Sequence, residues 1–494
     1  MYYFKKVYSI IPPKLLSKIP ILITLLLVNS FFEILSLGSI LPLLKTILDK
    51  DFASLLFVQI ENPTIRDFLL SFNQKEQILF FASLLLLIFF FKYLIYLIAL
   101  NYNLNFSKKL TIDLTRDVIL GYFRSSYESF TKTNLSSKFT NTFVGIRYIT
   151  TFYVKSLLNL ILELFLIIFV IILILYIQPY ASAAAISFFL FISYFFFKFN
   201  KKKLEHLSNL TEVYDKKRVK SFHEIVTLFK EIVIFRKEFF FQNKFLTSLN
   251  LFEGYSKKIN FLKIFPRPIL EFFGTVTIIL FLVISYYVSG DDLNKIIVEI
   301  AIISAAGFRL LPSVNRVMVS IVEIKSSIPY LISILKSDLL GKKFSTKKLK
   351  SNKKIIYIKE KIFFKNISFG YNNNKKIINN LNLEIKHDDK IGIIGKSGDG
   401  KTTLLEIICG LYEPTKGSIT IDNKKSNFKN LGQLSISYVS QNNILFEGTI
   451  LENITFGISE EEIDHKKVKL IINILGLSHF VHSLKKKLNT TIGE

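Results

Sequence analysis

A single cysteine, Cys409, serves a chain of 494 residues. No intramolecular disulfide is open to it, and nothing points to an oxidising compartment. The six histidines form no cluster with that cysteine, so a structural zinc site is not expected. Acid is short as well: 38 Asp and Glu stand against 64 Lys and Arg, a formal net charge of +26. No cleavable leader is evident, because the first apolar run is too long and lacks a small-residue cleavage site. Internal repeats are missing from the N-terminal part.

Apolar residues are what the chain has in excess. They make up 50% of it, and the mean hydropathy is +0.39. Charged residues still reach 21%, so charge and apolar surface must be segregated along the chain. A balance this basic fits nucleic-acid binding or the connectors of a membrane protein, where Lys and Arg collect beside the spans. Here the cations flank the apolar runs, so a membrane is the expected partner and nucleic acid is not.

Six runs are long enough to cross a bilayer, which takes about 20 residues. They lie near 20–45, 77–104, 152–177, 180–200, 262–289 and 294–325. The N-terminal stretch (Lys5, Lys6, Lys14, Lys18) and the connectors after spans two and four are rich in cations. The connectors after spans one, three and five are not: they hold Asp49, Asp51, Glu61 and Asp67, then Gln178-Pro179-Tyr180, then Gly290-Asp291-Asp292. The bias of cations toward the inner face therefore places both termini in the cytoplasm of a multi-pass protein. The two cationic connectors run to roughly 50–60 residues with helical periodicity and few breakers. Spans two to five are expected to continue into the cytoplasm as helices, with transverse turns at YESFTKTNLSSKF and EIVTLFKEIVIF.

Composition changes near Ser337. The expected layout is a membrane domain at 1–336, a basic polar linker at 337–354, and a soluble domain from 355 to 494 that opens with β-like segments. One of these, KIGIIG, reads as a strand running into Gly395-Lys396-Ser397-Gly398-Asp399-Gly400-Lys401-Thr402, followed by Thr403 and a helix. That is the phosphate-binding pattern GxxxxGK[ST]. Glycines let the backbone turn so that successive N–H groups face phosphate. The lysine reaches the β and γ phosphates, the Thr402 hydroxyl can ligate Mg²⁺, and the helix N-terminus favours the anionic charge. ATP and Mg²⁺ are the cofactors this pattern implies.

The flanking phrases resemble those of ABC ATPases. Ile367-Ser368-Phe369-Gly370-Tyr371 is similar to the segment whose aromatic residue stacks on adenine, with Tyr371 in that place. ISYVSQNNILFEGTILENITFG is similar to the glutamine loop, with Gln441 as the residue that contacts Mg²⁺ and attacking water. Six spans followed by one such domain resemble a half-transporter exporter, a homodimer in the bacterial inner membrane. The implied fold is a membrane all-α six-helix exporter domain followed by an α/β P-loop NTPase. In this family ATP binding closes the dimer and turns the cavity outward, and hydrolysis resets it. The family's Leu-Ser-Gly-Gly-Gln signature, catalytic glutamate and switch histidine do not occur in these 494 residues, so no catalytic residue is assigned. The chain as written is expected to bind nucleotide without turning it over, as a fragment or as part of a split transporter.

SFFEILSLGSILPLL, FPRPILEFFG and FRLLPSVNRVMVS resemble segments of bacterial lipid-linked oligosaccharide flippases. That resemblance makes Lys92, Arg267 and Arg309 the residues that receive the pyrophosphate between lipid and sugar, with lysine at 92 replacing an arginine. Ionisable residues inside spans usually face protein or water. The same three, with Glu33, Glu163 and Glu271, are equally read as partners of one another that fix helix packing. Export of another lipid, a peptide or a drug remains open, as does a membrane protein that binds nucleotide without hydrolysing it.

Overall fold

The computed structural model describes the backbone of residues 2–49, 51–177, 179–289, 293–337, 339–340, 356–371, 376–428, 431, 434–441 and 444–492, and the side chains along it except most of those in 173–197 and 277–309. The chain divides into two compact units, Met1–Leu349 and Lys350–Glu494. Residues 338 and 341–354 of the expected linker lie outside the described residues.

The first unit is helical. Its main elements are α1 (Ile19–Gly38), α2 (Ile40–Leu48), α3 (Gln74–Arg124), α4 (Lys155–Ile177), α5 (Pro179–Thr227), α6 (Glu238–Ile264), α7 (Pro266–Ser289) and α8 (Leu293–Lys336). Between α3 and α4 lie two π-helical segments, Thr140–Gly145 and Tyr148–Val154. Helix α3 starts at a capping box in which the Asn73 backbone N–H donates to Glu76. It runs for 51 residues, about 77 Å at 1.5 Å per residue. A bilayer core of about 30 Å cannot contain it, so more than half of the helix lies outside a hydrocarbon layer of that thickness. The short helices Tyr127–Lys132 and Leu135–Phe139 turn the chain after α3, and Phe229–Ile234 turns it after α5. Proline sets one of the breaks. Pro266 opens α7 just after the interruption at Phe265, because its ring supplies no N–H to the helix before it.

Four helical stretches among the described residues are long and apolar enough to cross a membrane: Pro13–Leu48, Gln74–Arg124, Leu135–Ile172 and Leu310–Lys336. The expected spans at 180–200 and 262–289 fall on α5 and on α6–α7. Most of the side chains of 180–200 and of the C-terminal part of 262–289 lie outside the described residues. The largest apolar core joins α3, the π-helical segments, the start of α4 and the end of α8 through Leu110, Leu114, Val118, Ile146, Ile149 and Ile334. Residues spaced four apart on α3 (110, 114, 118) make one face, as helical winding requires.

The second unit carries a four-stranded antiparallel sheet, β1 (Lys361–Phe369), β2 (Ile378–Lys386), β3 (Lys416–Ile421) and β4 (Lys424–Ser426), in the order β2-β1-β3-β4. Phe364 pairs with Leu383 on one side and Ile419 on the other, and both Phe364 and Ile419 are fully buried. The helix α9 (Lys401–Ile408) lies between β2 and β3 in the chain. The expected strand at KIGIIG does not form. Residues 390–395 have no ladder partner among the described residues, and a strand exists only through its neighbours' hydrogen bonds. Ile394 is 98% exposed in consequence.

Candidate functional site

The phosphate-binding pattern folds as a tight loop on the N-terminus of α9. Gly398 and Gly400 take φ of +91° and +90°, a left-handed conformation that other residues adopt at a cost. The second of them is the N-cap of α9. The loop is braced from within: the Lys396 backbone N–H donates to Asp399 Oδ2 at 2.6 Å. Lys401 Nζ donates to the carbonyl oxygens of Gly395 and Lys396, both at 2.8 Å. Its partners are neutral carbonyls, so its positive charge stays uncancelled at the mouth of the loop. The first turn of a helix also leaves N–H groups without intrahelical acceptors.

Helical spacing sorts the two threonines that follow. Thr403 and Ile407, one turn apart, are buried, while Thr402 faces out. Tyr371 is tied to this helix, its hydroxyl 2.9 Å from Thr403 Oγ1. Its ring stands edge-on to Phe369 and Tyr412, with centroids 5.3 and 5.4 Å away. The structure thus brings Tyr371, Thr403 and the loop together. Gln441 stands exposed in an irregular segment and has no recorded hydrogen bond to the loop among the described residues. Tyr412 was not singled out from sequence, although it ends the apolar helix phrase after the loop.

This arrangement fits a nucleoside triphosphate. An uncancelled ammonium, N–H groups at a helix start and two glycine turns suit phosphates. The exposed Thr402 hydroxyl and the Gln441 amide oxygen are the hard oxygen donors a magnesium ion takes. Cys409, just past α9, is not a nucleophile candidate: burial pushes its thiol pKa up, and the charge of Glu406 adds to the effect.

The membrane cations are arranged differently. Lys92 Nζ lies 2.8 Å from Glu33 Oε1, with side chains only 13% and 9% exposed. The ammonium also lies over the Phe89 ring, 4.9 Å from its centroid. Arg267 Nε lies 2.7 Å from Glu271 Oε1 one turn on, both side chains exposed. No contact joins Lys92 to Arg267 among the described residues, and the Arg309 side chain lies outside them. Glu163 is held by Arg316, through Nε at 2.5 Å and Nη2 at 3.2 Å. Arg316 went unread in sequence, although it sits in the same phrase as Arg309.

A helical unit with membrane-length apolar helices, joined in one chain to a unit with a phosphate-binding loop and sheet, defines a membrane protein with a nucleotide-binding domain. The ABC transporter transmembrane region profile matches residues 19–310, and the ABC transporter profile matches residues 378–492. The chain belongs to the ABC transporter family. It is 39% identical over 137 residues to a putative export ATP-binding/permease protein of Rickettsia felis, covering 27% of this chain and 23% of that one. A Lacticin-481/lactococcin-DR transport/processing ATP-binding protein of Lactococcus lactis is 30% identical over 227 residues, 45% of this chain and 30% of that one. The aligned regions thus span under a third of the length of these relatives. A bacterial Atm1-family ABC exporter, solved with ATP bound, superposes with a TM-score of 0.72 over 97% of this chain and 80% of its own, at 14% identity. The fold is accordingly that of a helical membrane exporter domain with an ABC ATPase domain.

Proposed function

We propose that the chain is the membrane domain and nucleotide-binding part of an ATP-driven exporter that works as a homodimer of half-transporters in a bacterial inner membrane. The observation that carries this reading is the Lys401 ammonium, held by neutral carbonyls on a glycine-turned helix start. Lys401 and the loop N–H groups hold the phosphates of ATP, and Tyr371 supports the adenine. Thr402 and Gln441 hold Mg²⁺, which offsets phosphate charge when bound. Six spans, with both termini cytoplasmic, complete the layout.

The proposed cargo is an anionic lipid-linked substrate, a polyprenyl-pyrophosphate-linked oligosaccharide, supported by the three membrane phrases quoted above. Lys92, Arg267 and Arg309 are its proposed contacts. Lys92 and Arg267 already hold carboxylates, so a pyrophosphate must displace Glu33 and Glu271 to reach them. In proteoliposomes containing the assembled transporter, charge reversal at Arg267 and Arg309 should abolish ATP-dependent flipping of a labelled pyrophosphate-linked glycolipid and spare ATP binding. Flipping that survives both reversals would remove the cargo assignment and leave export of another lipid, a peptide or a drug.

A further inference from the structure

A groove of about 520 Å³ opens between α3 and the π-helical stretch that leads into α4. Lys108 from α3 and Arg147 and Lys155 from the facing wall line it, and no carboxylate does. Unlike Lys92 and Arg267, these three cations make no ion pair or side-chain hydrogen bond with any described residue. Thr111, Thr115 and Thr151 add hydroxyls to the lining, and Leu104 and Phe143 add apolar surface. The walls are pinned together by a hydrogen bond from Thr111 Oγ1 to Thr150 Oγ1 at 3.0 Å.

The winding of the second wall makes this cluster possible. Phe143, Arg147, Thr151 and Lys155, spaced four apart, all line the groove. In an α-helix each step of four residues drifts about 40°, so three steps would carry the row about 120° around the axis. The i→i+5 bonding of Thr140–Gly145 and Tyr148–Val154 turns less per residue and offsets that drift. Such π segments recur at functional positions.

The position of the cations beside the ends of two apolar runs narrows the ligand. Lys108 lies four residues beyond the apolar run that ends at 104, and Arg147 five residues before the one that begins at 152. At 1.5 Å per residue these are about 6 and 8 Å from the ends of the two apolar runs. Lys155 lies three residues into the second run, with a side chain long enough to reach back past its end. The headgroup layer of one leaflet is about 5–8 Å thick. We infer that the groove is a binding site for the phosphate headgroup of an anionic membrane lipid, with the lipid's chain against Leu104 and Phe143. This site is separate from the proposed cargo contacts and does not depend on what the transporter carries.

The test uses the full chain in nanodiscs of phosphatidylcholine doped with phosphatidylglycerol, extracted gently and weighed intact by native mass spectrometry. The chain should retain phosphatidylglycerol over phosphatidylcholine, and the triple variant Lys108→Gln, Arg147→Gln, Lys155→Gln should lose at least about tenfold of that retention, the scale of losing charge-assisted phosphate contacts. Arg147→Gln alone, at an exposed position, should lose several-fold and covers the case in which the triple variant does not fold. Equal retention by wild type and variants overturns the site. Binding of inorganic pyrophosphate with no preference between the two lipids overturns the lipid assignment in favour of free phosphate. Thr151→Cys in a Cys409→Ser background should react with an aqueous maleimide more slowly as phosphatidylglycerol is added. Disulfide cross-linking of two copies of that Thr151→Cys protein, with no effect of lipid, would mean that a second copy fills the groove and the proposal fails.

Discussion

Lys401 in the nucleotide-binding unit and Lys92 in the helical unit are the same side chain with opposite surroundings. Lys401 is held by two carbonyl oxygens, which orient the ammonium and leave its charge intact. Lys92 is held by a carboxylate, nearly out of water, and its charge is cancelled where it stands. A lysine in the first setting can meet phosphate directly; in the second, phosphate must first displace the carboxylate. Whether a cation is free for a ligand or tied into the fold is therefore decided by its partner, which is local for Lys401 and comes from a distant part of the chain for Lys92.

The largest effect should come from breaking the cancelled pair. Glu33→Gln leaves Lys92 charged and without its carboxylate, which costs about 3–5 kcal/mol for a buried pair. Lys92→Met together with Glu33→Leu should regain most of that, since well-packed apolar replacements are often neutral. Denaturation in detergent micelles measures both; a Glu33→Gln protein as stable as wild type would remove the contrast. Glu163→Gln sharpens it. Its partner Arg316 is 44% exposed, less enclosed than Lys92, so the loss should be smaller than at the Glu33 pair.

Tyr371→Phe tests the brace beside the loop. It removes only the hydroxyl bond to Thr403 and should cost about 1 kcal/mol, read as a small fall in the unfolding midpoint of the second unit. A loss as large as that from Tyr371→Ala would mean that the ring contributes nothing. The smallest effect concerns pH. The Asp422 carboxylate accepts backbone N–H bonds from Lys359, Glu360 and Lys361, and these hold its pKa below the ordinary range. Its contribution is present above the unfolded value of about 4 and is lost as pH falls through the lower folded value. Asp422→Asn should therefore be less stable than wild type at neutral pH, with the gap closing in acid. A constant gap would contradict the assignment.

The phosphate-binding loop was legible because its residues are contiguous and their spacing is itself the geometry. The long helices of the first unit were legible for a similar reason: unbroken periodicity and few prolines left nothing else for α3 and α5 to be. Partnership across the chain was not. Nothing local tells that Glu33 belongs to Lys92 or that Arg316 belongs to Glu163, 153 positions away. KIGIIG failed for the complementary reason, since apolar β-branched residues announce a strand while the ladder that makes one is supplied from elsewhere. The π-helical wall, which aligns Arg147 with Lys155, has no local signature at all.

The central claim is that Lys401 stands ready for phosphate, and equilibrium binding of a fluorescent ATP analogue to the full chain, with Mg²⁺, tests it most directly. Replacing Lys401 with Met should weaken binding by about 10–100-fold, the equivalent of a charged hydrogen bond of roughly 1.5–3 kcal/mol. Lys92→Met should leave binding unchanged. Undiminished binding by the Lys401→Met protein would show that the loop is not the nucleotide site.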